Sequence, residues 1–161
     1  MVILDNFCRV VDSLTLNTRN VNYIESAKKL FEEQHPVCIG LAGCSLSMRK
    51  VHENLANALS FTSSSSGSPS IFFVEDDVAK LFALSTIPDE YSFSSKAIRY
   101  TISIGRRLIC PLWEYANLCN AKNEILMLSL HPLQMFLVKE ILGGALERAF
   151  VNVVNLVGVD L

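Results

Sequence analysis

The sequence predicts an α/β domain with a central parallel sheet flanked by helices, and three observations support this fold class. Short apolar runs without a polar face occur at 37–42, 70–74 and 108–110, as in strands buried inside a parallel sheet. Gly43 breaks the first run, and an amphipathic helical pattern follows it, which gives half of a β–α–β unit. Half of the 161 residues are hydrophobic and only 19% are charged, so the chain can bury a substantial core.

One or two helices are expected before the first strand. Residues 5–16 place Phe7, Val10 and Leu14 at helical spacing behind Asp5, which suits an N-cap. Residues 22–34 repeat the helical pattern and end ahead of a proline.

The first strand is followed by a helix, a linker and a second strand. Ser45 or Ser47 can cap a helix that runs to about Leu59. Residues 61–69 are mostly serine and predict a solvated linker, and the second strand is expected at 70–74.

Two more helices and a third strand are expected further along. Ser94 or Ser95 caps a helical pattern that Gly105 is expected to end. A strand then follows at 108–110, and Pro111 begins the next helix because proline is favoured in the first helical turn.

The tail and the composition limit the function classes. Residues 133–150 predict a helix, and the valine-rich stretch 151–159 predicts a late strand. The net charge of -2 gives no global electrostatic case for nucleic acid. No signal peptide or membrane span is expected, and the spacing of His and Cys fits no metal site and no cofactor. The odd number of cysteines predicts buried free thiols in a reducing compartment, at Cys8, Cys38, Cys44, Cys110 and Cys119.

A family resemblance rests on two segments. Residues 96–100, followed by the uninterrupted spacing from Gly105 to Trp113, resemble the second half of a BRCT domain. The resemblance covers residues 36–122 and implies a four-stranded parallel sheet flanked by helices, with Trp113 in the core. Residues 1–35 then form an N-terminal helical extension packed on that core, and residues 123–161 form a C-terminal extension.

The resemblance also implies a phosphate pocket at the turn after the first strand. Backbone N–H groups at a helix N-terminus, a hydroxyl and a cation can converge there on a phosphate. The family's hydroxyl position is occupied by Ala42, and its lysine position aligns one residue past Lys96. The pocket is expected from six residues, Gly43, Ser45, Lys96, Ser47, Arg49 and Arg99.

The function implied by the resemblance is that of a nuclear scaffold, not an enzyme. It would recognise a phosphorylated protein or peptide in a chromosome-associated complex for DNA repair, checkpoint control or chromosome segregation, for example at a kinetochore. The alternatives are phosphate-independent protein binding, or weak DNA contact through Arg99, Arg106 and Arg107. A remote alternative is a thiol enzyme that uses Cys44 with His52 or His35. The oligomeric state stays open, and no membrane partner is expected.

Overall fold

The computed structural model describes residues 1–16, 23–43, 45–60, 69–84, 95–119 and 122–158. The chain has a mixed α/β fold that is mostly helical. It divides into two compact units, Met1–Ile109 and Cys110–Leu161. The described residues contain two sheets of two strands each, both of them in the first unit.

The chain opens with an antiparallel hairpin. Strands β1 (Val2–Leu4) and β2 (Val10–Ser13) pair with each other, so the helix expected over residues 5–16 is wrong. The Asp5 carboxylate accepts hydrogen bonds from the backbone N–H groups of Phe7 at 2.9 Å and Arg9 at 2.8 Å. An aspartate that bonds to its own neighbouring backbone favours a turn over a helix.

The predicted strand–helix–strand unit is confirmed. Helix α1 (Tyr23–Gln34) precedes β3 (Cys38–Ala42), which is joined through α2 (Leu46–Ser60) to β4 (Ser70–Val74). Strands β3 and β4 are parallel. The serine-rich linker falls almost entirely outside the described residues.

Helices cover both faces of the parallel pair. Leu41 belongs to an apolar cluster formed with α1 and α2, which also receives Ile39 and Ile71. Val74 packs on the other face against Ile104. This alternation follows from the two-residue period of strands and explains why the runs lacked a polar side.

The later helices correct the predicted third strand and the four-stranded sheet. Helix α3 (Asp77–Leu84) is followed by α4 (Lys96–Ile109), which continues through Gly105. Residues 108 and 109 therefore form the last turn of α4 and not a strand. A Cβ atom at Gly105 would lie 2.6 Å from Leu4 Cδ1. This glycine thus allows β1 to approach α4 closely, and it does not end the helix.

The second unit is helical. Pro111 begins α5 (Pro111–Leu118) as predicted, and two short 3₁₀ helices at Glu124–Met127 and Pro132–Phe136 precede α6 (Lys139–Val157). The strand predicted at 151–159 is wrong, because Val151, Val153, Val154 and Val157 continue α6. Among the described helices, none is long and apolar enough to cross a bilayer.

Two side-chain burial predictions are also corrected. Trp113 is 50% exposed, so its expected core role is wrong. Of the four cysteines in the described segments, Cys8 is buried, Cys38 is exposed, and Cys110 and Cys119 lie between. Cys44 lies outside the described residues.

Candidate functional site

The candidate site lies where β3 and β4 end. The Gly43 N–H donates to the Val74 carbonyl at 2.8 Å, so the two strand ends are adjacent. Helices α2 and α3 both begin close by in the chain, at Leu46 and Asp77. Ligands of open α/β sheets bind at the carboxyl ends of the strands, and helix N-termini add partial positive charge there.

The turn after β3 is built by a glycine and a serine. Gly43 has a φ of +72°, a left-handed conformation that favours glycine. Ser45 Oγ lies 3.3 Å from the Met48 N–H and 2.9 Å from Ser47 Oγ. Ser45 therefore caps α2, as the sequence predicted.

Asp76, the second residue after β4, is the centre of a polar cluster. Its carboxylate accepts a hydrogen bond from the Tyr100 hydroxyl at 2.9 Å and forms an ion pair with Lys80 at 2.9 Å. The Lys80 ammonium holds the pKa of Asp76 below its ordinary value, and the Tyr100 hydroxyl acts in the same direction while burial opposes both. We refer to Asp76, Lys80 and Tyr100 as the β4-end cluster.

The pKa of Tyr100 is raised, whereas the pKa of Asp76 is lowered. Burial, followed by the hydrogen bond to Asp76, raises the pKa of Tyr100 to about 12. The pKa of Lys80 is also raised, because its ammonium donates to the carboxylates of Asp76 and Asp77. The cluster therefore keeps Asp76 ionised, Lys80 charged and Tyr100 protonated over a wide pH range.

Arg107 on α4 is bonded to Glu75, the first residue after β4. Its guanidinium donates to the Glu75 carboxylate at 2.8 Å and to the Glu75 carbonyl oxygen at 2.9 Å. The Arg107 side chain is only 14% exposed, whereas that of Glu75 is 80% exposed. This arginine is thus occupied within the fold, and Arg99 and Arg106 are both half-buried. DNA contact through these three arginines stays a prediction.

The predicted phosphate residues lie at or near the starts of two helices. Ser45, Ser47 and Arg49 are exposed at the start of α2 beside Gly43, whereas Lys96 is exposed at the first residue of α4. Arg99 lies in the same turn as Lys96. The structure thus brings four of the six residues to one turn. Their role in binding phosphate stays a prediction.

Sequence reasoning missed the β4-end cluster. The sequence pattern assigns no functional role to the acidic run at 75–77 or to Tyr100. The available signal was a carboxylate directly after a buried strand in a parallel sheet. Its partner could not be found, because Tyr100 lies 24 residues further along the chain.

Comparison with known proteins places the chain in a different class from the one expected. A family described as the Holliday-junction resolvase-like domain of SPT6 matches residues 3–119, and a helix-hairpin-helix motif family matches residues 123–161. The chain therefore carries a resolvase-like α/β region. It belongs to the Holliday-junction resolvase-like family of SPT6.

Several curated relatives share this region. The chain is 31% identical over 157 residues to transcription elongation factor SPT6 of Saccharomyces cerevisiae, covering 95% of this chain and 11% of that protein. It is 40% identical over 92 residues to the Kluyveromyces lactis factor of the same name, covering 56% of this chain and 6% of that protein. The chain is 28% identical over 181 residues to the Arabidopsis thaliana homologue, covering 99% of this chain and 11% of that protein. The chain thus spans about a tenth of the length of two of these relatives.

These findings correct the identification and the partner. The BRCT resemblance is wrong, because another family matches the same residues. In structural terms, its spacing from Gly105 to Trp113 crosses the end of one helix and enters another, without an intervening strand. The phosphorylated partner, the kinetochore setting and the phosphopeptide function rested on that resemblance and are wrong as well.

Two predictions are confirmed by the relatives. The relatives that share this region are named as transcription elongation factors, in agreement with the expectation that the chain is not an enzyme. The chain is nuclear, as these elongation factors are.

The acidic side chains at the end of β4 are paired with cationic side chains. Nucleases of the two-metal type hold a pair of ions about 4 Å apart between converging ligands. In the part of the chain that the structure describes, no three His, Cys, Asp or Glu side chains are grouped to hold a metal ion. Asp76 and Glu75 are instead paired with Lys80 and Arg107. His52, one of the histidines considered for the thiol enzyme, stacks on Phe73 with ring centroids 5.2 Å apart.

Proposed function

We propose that this chain is a non-catalytic resolvase-like module of a nuclear transcription elongation factor, followed by a helix-hairpin-helix segment. The family match and the names of the relatives support this assignment. The observation that carries it is the pairing of Asp76, since a carboxylate bonded to Lys80 and Tyr100 holds helices in place and is not an open metal ligand. The module contributes a folded scaffold to the factor and does not contribute bond cleavage.

At the level of the fold, we infer that the parallel pair β3–β4 forms the centre of the resolvase-like sheet. Support comes from the helices on both of its faces, which is the arrangement of a three-layer α/β fold. The β4-end cluster lies at the strand end where such a fold binds ligands.

The test is a chimera in which this chain replaces the matching segment of the Saccharomyces cerevisiae factor. We expect the chimera to restore transcription elongation measured by RNA polymerase progress along a long gene. A matched chimera carrying Ile102→Asp should fail, because Ile102 is completely buried. A folded chimera that performs no better than a deletion of the segment would contradict the proposal, as would Mg²⁺-dependent cleavage of DNA by the chain.

A second candidate function is contact with a nucleic-acid phosphate at the turn after β3. The observation in its favour is that the hydroxyls of Ser45 and Ser47 and the guanidinium of Arg49 are exposed around one helix N-terminus. Fluorescence anisotropy with a labelled DNA duplex tests it. Affinity should fall between about 50 mM and about 200 mM salt, and Arg49→Ala should weaken binding while Arg9→Ala should not. Binding that is insensitive to salt or to Arg49→Ala would exclude this contact.

A further inference from the structure

Strand β4 (Ser70–Val74) forms an edge of its sheet. Among the described segments, β3 is the only strand that pairs with it. Phe72 and Phe73 lie on opposite faces of β4 and are 48% and 42% exposed. A strand edge with open backbone groups and accessible apolar side chains is a template for a further strand. We call the side of β4 that faces away from β3 the outer edge.

The hydrogen bonds to β3 determine which backbone groups point to the outer edge. The Ser70 N–H donates to the carbonyl that precedes β3 at 3.3 Å, and the Val74 carbonyl accepts from the Gly43 N–H at 2.8 Å. Because backbone groups alternate along a strand, the even-numbered residues of β4 face β3. Ile71 and Phe73 therefore direct their N–H and carbonyl groups to the outer edge.

Each end of the outer edge lacks one hydrogen-bonding group. Pro69, directly before β4, has no N–H to donate. The Glu75 carbonyl, directly after β4, already accepts from the Arg107 guanidinium at 2.9 Å. The Glu75 carboxylate is paired with the same guanidinium at 2.8 Å, so its charge is compensated. A strand that joins this edge therefore has to tolerate a missing donor at one end and an occupied acceptor at the other.

We propose that the outer edge binds a second copy of this chain, with the two β4 strands antiparallel about a two-fold axis at Phe72. Ile71 of each copy then exchanges both backbone hydrogen bonds with Phe73 of the other. Pro69 of one copy faces Glu75 of the other, so the missing N–H lies opposite the carbonyl that the arginine already occupies. The two-fold axis makes the two halves of the contact identical and closes the assembly as a dimer. This surface goes beyond the proposed function, which does not depend on it.

Other antiparallel registers leave a backbone group unpaired. A shift by two residues in one direction places Pro69 opposite Phe73, whose carbonyl then has no donor. The opposite shift places Glu75 opposite Ile71, whose N–H then meets an occupied carbonyl. A shift by one residue places outward-directed residues opposite residues that face β3. The outer edge is therefore complementary to itself in the register centred on Phe72.

The side chains of β4 suit the same register. Phe72 stands opposite Phe72 of the other copy, and Phe73 stands opposite Ile71, which gives aromatic contacts on both faces of the joined sheet. No charged residue occurs between Ser70 and Val74, so no like charges face each other. The contact is smaller than a standard interface of about 800 Å² per partner, so we expect a dissociation constant of about 0.1–1 mM.

Amide hydrogen exchange of the full chain, measured by NMR at two concentrations, tests the pairing. The amides of Ile71 and Phe73 should exchange about twofold or more slowly at about 1 mM than at about 20 µM chain. The amides of Ser70, Phe72 and Val74, which face β3, should not change. This comparison is specific to β4, so association through another surface does not reproduce it.

A cysteine at the two-fold axis tests the register. Residues at a non-hydrogen-bonded position of an antiparallel pair have Cα atoms about 4.5 Å apart, within the range of a disulfide. Phe72→Cys should therefore form a covalent dimer under mild oxidation. Ser70→Cys is the matched control, because Ser70 is exposed on the same face of β4 but stands opposite Val74 and not opposite itself. The original chain, oxidised in parallel, gives the background from its exposed Cys38.

A charge exchange at Phe72 separates lost pairing from misfolding. Phe72→Asp and Phe72→Lys each place like charges opposite each other, so either variant alone should lose the concentration dependence. Isotope-labelled Phe72→Asp mixed with unlabelled Phe72→Lys should regain the slow exchange of Ile71 and Phe73. Intact protection of the β3-facing amides shows that each variant is folded.

Three results would overturn the proposal. Exchange of Ile71 and Phe73 that is the same at both concentrations, whether slow or fast, would exclude self-pairing. Equal disulfide formation by Phe72→Cys and Ser70→Cys would assign the covalent dimer to random collision. A mixture of the two charged variants that behaves like either variant alone would exclude the two-fold axis at Phe72. None of these results bears on the elongation chimera.

Discussion

Asp76 is the residue whose ionisation ties α3 and α4 to the end of β4. Its pKa in the folded chain is below the ordinary value of 3.8, because Lys80 and Tyr100 stabilise the carboxylate. The folded state therefore binds this proton less readily than the unfolded state. The resulting stability is present above the unfolded pKa and is lost as the pH falls through the folded one.

We expect Asp76→Asn to reduce the loss of stability on acidification. Urea unfolding followed by circular dichroism from about pH 7 to about pH 3 measures the effect. Asp77→Asn is the control, because the Asp77 side chain is 77% exposed and lies further from Lys80, at 3.3 Å. An acid response that is unchanged in Asp76→Asn would show that the β4-end cluster does not contribute to stability.

Tyr100 gives the opposite dependence at alkaline pH. Its pKa of about 12 in the folded chain exceeds the ordinary tyrosine value of 10.0. The stability it contributes is thus complete below pH 10 and lost as the pH rises through about 12. Tyr100→Phe should flatten the alkaline unfolding curve and cost about 1 kcal/mol at neutral pH, since Asp76 loses one hydrogen bond. Tyrosine absorbance should also show one fewer late-titrating group, and an unaltered titration would refute the assignment.

Helix α4 shows why a glycine within a helix has to be considered together with its neighbours. Gly105 and Gly144 both lie inside helices, but a Cβ at Gly105 would meet Leu4 at 2.6 Å, whereas a Cβ at Gly144 would meet only the end of Arg148 at 3.6 Å. Alanine in place of a helical glycine gains about 0.5–1 kcal/mol when nothing obstructs it.

We therefore expect Gly144→Ala to stabilise α6 by about 0.5–1 kcal/mol and Gly105→Ala to gain less or nothing, because Leu4 has to move. Hydrogen exchange of each helix measures the two effects separately. Equal stabilisation by both substitutions would mean that β1 does not pack closely on α4.

The helices and strands were predictable where the pattern of neighbouring residues in the sequence determines them. The runs at 37–42 and 70–74 are strands, but the run at 108–110 has the same apolar character and lies at the end of a helix. Hydrophobic periodicity cannot distinguish a short strand from a buried helical turn. Gly105 was also expected to end the helix, but α4 continues through it to Ile109. In the site, the turn at Gly43 and the cap at Ser45 follow from neighbouring residues. The contact between Asp76 and Tyr100 required the tertiary fold.

At the scale of the whole molecule, the second unit exposes many large apolar side chains. Met135 is 81% exposed, Phe136 77% and Leu156 87%, and no residue of α6 is buried. A helix that is apolar on most sides is usually covered, and large exposed apolar patches promote association.

We expect the isolated chain to self-associate as its concentration rises, and the double variant Met135→Gln with Leu156→Gln to shift sedimentation toward the monomer. The control is Val37→Gln, because Val37 is equally exposed at 87% but lies in the first unit. An identical sedimentation profile for the double variant and the original chain would assign the association to another surface.

The parallel pairing of β3 and β4 also bears on how the chain tolerates changes of length. Parallel neighbours are joined by a crossover, so the serine-rich segment after α2 only has to return the chain to the start of β4. Each doubling of such a segment costs only about 0.6 kcal/mol in closure entropy. The alignment with the Arabidopsis thaliana homologue extends over 181 positions, against 161 residues in this chain, so differences in length already separate members of the family. The crossover is where natural variation in length should accumulate without altering the strand register.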